Sequence, residues 1–133
     1  MTTATQTEGD VTIAIARDPA LVRTVRLVAA AVARRAACKD SLIEEIRLAV
    51  GEACAVMIGS EEIAAPEGEQ IQVQLHTEGV FTVTVTGRLD GVDAAFADVG
   101  VDPWALLQGL SDDVVVAETD GITTLTMSWP LDA

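Results

Sequence analysis

The chain alternates and periodises in separable blocks. Val11 to Ala16 places Val11, Ile13 and Ile15 on one side, the period-two signature of a strand with one buried face. Asp18-Pro19 then supplies a cap and a first-turn proline for an apolar, arginine-bearing run from Ala20 to about Ala37 without Gly or Pro, which predicts a first helix. Ala36 to Lys39 connects it to a second helix over Asp40–Ile58, which closes near Gly59-Ser60. There Ile43, Ile46, Ala49, Val50, Ala53, Val56 and Met57 share a stripe, Glu44, Arg47 and Gly51 point away, and Glu45 and Glu52 border it. Ser41 with Glu44 offers a capping box, with Asp40 as the competing cap.

Glu61 to Glu69 is acidic and broken by Pro66 and Gly68, as loops are. Beyond it, Gln70 to His76 alternates Ile71, Val73 and Leu75 with polar residues. A Glu78-Gly79 turn returns the chain into Val80 to Thr86, where Phe81, Val83 and Val85 alternate with threonines, so a hairpin with one buried face is expected. Gly87 to Val101 is rich in Gly and Asp and too long for a simple turn, the kind of loop that carries function. Asp102-Pro103 opens a short helix through about Leu110, and Asp113 to Glu118 with Ile122 to Trp129 form a last hairpin around Asp120-Gly121. The order predicts an α+β two-layer sandwich, its helices on one face of a mixed, mainly antiparallel sheet. Residues 1–9, small and polar, are expected to be disordered, and 10–133 to form a single domain.

Composition narrows the function. The 133 residues carry 21 acidic and 8 basic side chains, a net charge of −13. That charge repels nucleic-acid phosphates and anionic membranes and favours basic protein surfaces as partners. With no leader pattern and no apolar run of membrane-spanning length, the expected location is cytoplasmic. Cys38 and Cys54 belong to no metal or disulfide pattern and read as small, mostly buried apolar residues. His76, on the polar side of its strand, has no nucleophile or ligand pattern beside it and receives no role.

Leu48 to Cys54, LAVGEAC, with the element order from Val11 to Leu131 and the closing Asp-Gly turn, resembles the histidine-kinase-like (GHKL, Bergerat-fold) ATPases, and among them the small bacterial anti-sigma-factor serine kinases. The resemblance implies three nucleotide motifs. In E-x-x-x-N on the second helix, Glu52 matches the general-base glutamate, but the magnesium-holding asparagine is Val56, which offers no oxygen to a hard cation. In D-x-G-x-G-F, Gly87 stands for the adenine-reading aspartate and Leu89 for the first glycine, while Gly91 is kept and followed by Asp93. In the phosphate-cradling G-x-G-L turn the positions are Val101 and Pro103, and proline has no N–H to donate.

The resemblance also implies partners, a sigma factor and an anti-anti-sigma protein, bound by a homodimer through a basic residue on the first helix. Arg26 falls on that position and Arg23 lies one turn away; a plain solvated face is the competing reading of both. Because three parts of one nucleotide site have changed together, the expectation is a regulator that works by binding proteins, with no cofactor, no kinase activity and a vestigial Glu52. The alternatives are an active kinase using magnesium-ATP to phosphorylate an anti-anti-sigma protein, and a dimerisation or scaffold module.

Overall fold

The computed structural model describes residues 10–58, 70–88, 111 and 113–131. They form β1 (Val11–Ala16), α1 (Val22–Arg35), α2 (Asp40–Ile58), β2 (Gln70–Thr77), β3 (Val80–Arg88), β4 (Asp113–Thr119) and β5 (Ile122–Pro130). The strands make one sheet in the order β1-β2-β3-β5-β4, and every pairing in it is antiparallel, so no mixed sheet is seen among the described residues.

Local chemistry sets the element ends. Asp18 does cap, its carboxylate accepting from the Ala20 N–H at 2.9 Å. What it caps is a 3-10 turn, Pro19–Leu21, and α1 proper begins only at Val22, two residues later than the sequence suggested. Pro19 fixes φ for this tighter first turn. At its other end α1 closes in a Schellman arrangement: the Cys38 N–H donates to the Ala33 carbonyl at 3.1 Å and the Ala37 N–H to the Arg34 carbonyl at 3.0 Å. Ala37 occupies the left-handed position at φ 61°. The Lys39 carbonyl accepts from the Ile43 N–H at 2.9 Å and α2 starts at Asp40, which places Ser41 inside the first turn; Glu44 pairs instead with Arg47 at 2.9 Å.

The alternating patterns translate into faces. Ile71, Val73, Leu75, Phe81, Val83, Val85, Leu125, Met127 and Trp129 are buried against the helices, and α2 meets them with Ile43, Ile46, Ala49, Val50, Ala53, Cys54, Met57 and Ile58. Phe81 and Trp129 meet edge to face, centroids 6.2 Å apart, in the register that pairs them across β3 and β5. Val56, expected on the buried stripe, is only half-buried, while Cys54 and Ile58 are buried in addition. The turn at Asp120-Gly121 (φ 54° and 81°) uses left-handed backbone at both residues, as a two-residue hairpin turn of this kind requires, and Gly79 (φ 73°) adopts it in the connection between the paired Thr77 and Phe81. Buried Ser111 pins the last hairpin, its Oγ accepting from the Ser128 N–H at 3.3 Å and lying 2.7 Å from the Asp113 carbonyl.

Candidate functional site

The second helix carries Glu52 on its exposed side and Val56 one turn later, half-buried. Glu52 opens onto a hollow of about 340 Å³ bounded by Pro19, Val22, Arg26, Leu48, Gly51 and Ala55, so it faces the start of α1. Gly87 lies elsewhere. It was expected to open a loop, yet Gly87 and Arg88 continue β3, and Gly87 is buried within that strand. A side chain there would meet Met57 Sδ and Ile71 Cγ1 at 3.6 Å and Arg17 Nη2 at 3.4 Å. The structure thus brings Gly87 beneath the last turn of α2, next to Met57, the residue that follows Val56. Leu89, Gly91, Asp93, Val101 and Pro103 lie outside the described residues, as do the rest of the Gly87 to Val101 stretch beyond Arg88, the loop before β2 and the short helix expected after Pro103.

Arg17, which the sequence reading passed over, occupies the space above Gly87. Its guanidinium donates to the Met57 carbonyl, at the end of α2, and to the Arg88 carbonyl, at the end of β3, at 2.6 Å. One planar cation therefore ties the last turn of a helix to the last residue of a strand. The helix terminus, with its unsatisfied carbonyls, favours that positive charge. Of the positions described, Val56 offers no oxygen to magnesium, and a guanidinium stands over Gly87.

The arginines of α1 make a different site. Arg23 and Arg26 line a second hollow of about 390 Å³ together with Leu27 and Arg47, so two helices contribute three of the chain's 8 basic side chains to one groove. Arg26 separates the two hollows, and its aliphatic stem packs on Gly51, where an added Cβ would come within 3.0 Å of Arg26 Cδ. Gly51, without a side chain, lets that stem lie flat on α2. Leu27 and Leu48 are 59% and 50% exposed on this side of the helix layer, which sets two large aliphatic side chains beside the arginines. Periodicity placed the arginines outward but could not show that Arg47, from the other helix, joins them.

The thiols are inert by environment. Burial pushes the Cys54 thiol up to about 12 and raises that of half-buried Cys38 as well. His76 has a carboxylate acceptor at each ring nitrogen, Asp10 at Nδ1 and Glu78 at Nε2, the latter at 3.2 Å.

With this geometry in place, the comparisons with known proteins agree on the class. Residues 15–129 match the family model of the histidine kinase-like ATPase domain, and the chain belongs to that family. Among solved structures it is similar to the RsbU and RsbW domains of Rv1364c from Mycobacterium tuberculosis, with a TM-score of 0.71 and 17% sequence identity over 92% of this chain. The chain spans 32% of that protein, so the likeness is one of fold. No curated protein sequence matches significantly. No helix among the described residues is long and apolar enough to cross a membrane.

Proposed function

We propose that the chain is an anti-sigma-type regulator that acts as a homodimer by holding protein partners, a sigma factor and an anti-anti-sigma protein, without binding nucleotide or transferring phosphate. The observation that carries this reading is the groove between α1 and α2, where exposed Leu27 lies with Arg23, Arg26 and Arg47, and exposed Leu48 lines the neighbouring hollow on the other side of Arg26. Apolar anchors flanked by arginines are what protein interfaces concentrate. The groove's local charge is opposite to that of the whole chain, so the contacting segment of the partner is acidic and aliphatic. This revises the expectation from net charge alone, which pointed to a basic partner face.

The nucleotide-free half of the proposal rests on chemistry. Phosphoryl transfer depends on positioning and on neutralising charge, and Val56 and the Arg17-capped Gly87 offer neither an oxygen ligand nor a carboxylate. Among the described residues, Glu52, kept and exposed on α2, is the feature that favours the alternative of a working kinase. Binding assays on purified sigma factors and anti-anti-sigma proteins of the source organism test the reading. Arg23→Glu with Arg26→Glu is expected to weaken a partner by about tenfold or more, the loss of roughly 1.4 kcal/mol or more that truncating an interface anchor brings. Calorimetry with magnesium-ATP is expected to give no saturable heat, and binding at micromolar or tighter affinity would overturn the nucleotide-free reading.

A further inference from the structure

The arginines of the helix layer carry a charge imbalance that the fold does not use. Arg17 and Arg88 are spent on carbonyls, Arg17 on those of Met57 and Arg88, and Arg88 on that of Asp120 at 3.2 Å. Arg23, Arg26 and Arg47 instead line one hollow of about 390 Å³, and of the three only Arg47 has a carboxylate, Glu44 at 2.9 Å. Neither Arg23 nor Arg26 forms an ion pair among the described residues, not even with Glu52, which borders the neighbouring hollow beside Arg26. Three guanidiniums less one carboxylate leave two positive charges in one groove of a chain whose net charge is −13. Like charges so gathered repel one another, and a bound anion removes that cost.

We infer that this groove receives a phosphoryl group carried by a protein partner, on a phosphorylated serine or threonine side chain. The inference rests on the partner reading above and names the state of the partner that is held. Charge decides between the candidate anions. A phosphomonoester bears about −1.5 to −2 near pH 7 and balances both surplus charges at one point, where a single carboxylate balances one. Geometry agrees. All three cations are arginines, whose planar forks meet phosphate oxygens two at a time, rather than lysines, which act as point charges. Arg23 and Arg26 come from α1 and Arg47 from α2, so the groove offers its donors from both helices. Arg47 is free to turn: its one bond runs from Nη1 to Glu44, and its buried Nε–H has no acceptor among the described residues. A phosphate oxygen at that edge supplies the acceptor that the fold leaves out. Arg26 is steadied by its stem on Gly51, and exposed Leu27 gives the residues flanking the phosphate an apolar rest.

Fluorescence anisotropy on the full chain tests this, with a labelled peptide that carries one phosphoserine between leucines. The phosphopeptide is expected to bind about tenfold tighter or more than the same peptide with serine or with glutamate in that place. Because the phosphate takes up its second proton at about pH 6, the advantage is expected to shrink as pH falls from about 7.5 to about 5. A His76→Gln background removes the chain's own imidazole from that window. Arg47→Gln is expected to abolish the preference for the phosphopeptide and Arg47→Lys to restore only part of it. Circular dichroism stays unchanged in both, because a surface pair such as Glu44–Arg47 adds little to stability. A phosphopeptide that does not bind, serine or glutamate peptides that bind as tightly, or a preference that survives Arg47→Gln overturns the inference. So does inorganic phosphate that binds as tightly as the phosphopeptide, since the groove then takes the free anion. A sigma factor or anti-anti-sigma protein held with no gain on phosphorylation defeats the phosphoryl site and leaves the anti-sigma reading standing, whereas phosphopeptide binding by a chain that holds neither partner does the reverse.

Discussion

Between Asp10 and Glu78, His76 is the residue whose ionisation responds to its surroundings. The hydrogen bond to Asp10 raises its pKa above the ordinary 6.5, with further help from the two carboxylate charges and from Glu78, against a lesser lowering by desolvation. Its cross-strand neighbour, Thr82, does not titrate in this range. Because the folded value lies above the unfolded one, the stabilisation it brings is complete below the unfolded pKa and is lost as pH rises through the folded pKa. NMR titration of the imidazole is expected to give a value above 6.5, with Asp10→Asn moving it back toward normal. His76→Gln is expected to flatten the dependence of urea stability on pH over that window. The sequence placed His76 on the polar side of its strand, but Asp10, 66 residues away, was not readable as its partner.

Arg17 illustrates how elements are joined. Replacing it with Ala removes both donors and leaves the Met57 and Arg88 carbonyls to find water, at a cost of about 1–3 kcal/mol for charge-assisted bonds. Urea denaturation is expected to show that loss, and Arg17→Lys to recover only part of it, since an ammonium lacks the planar fork that spans two carbonyls. The end of α1 predicts the opposite sign. Ala37 sits at φ 61° inside a Schellman motif whose hydrogen bonds are already made, so Ala37→Gly is expected to raise stability by about 1 kcal/mol, measured as an upward shift in Tm. Strands and hairpins were legible from alternation and turn residues, because both signals are local. The 3-10 entry to α1 and the Arg17 clamp were not, since one depends on how Pro19 docks and the other joins residues 40 and 71 positions apart.

At the scale of the molecule, the layered fold followed from the pattern of apolar positions, and the family from the element order around LAVGEAC. The candidate site was legible only in part. Glu52, Arg23 and Arg26 could be singled out on their helices, but Leu27, Arg47 and Leu48 join them through the crossing of α1 over α2, which no periodicity encodes. Five of the expected nucleotide positions, from Leu89 to Pro103, fall outside the described residues. The sheet order has one more consequence. β5, the last of the described strands in the chain, lies between β3 and β4, bonded to β3 along nine paired residues. During synthesis, then, Phe81, Val83 and Val85 leave the ribosome on a strand that has β2 on one side while its other neighbour is still unmade, and the core lacks Leu125, Met127 and Trp129 until Ile122–Pro130 emerges. The sheet can close only after that segment inserts, which makes the interval before it the period in which a nascent chain most needs a chaperone.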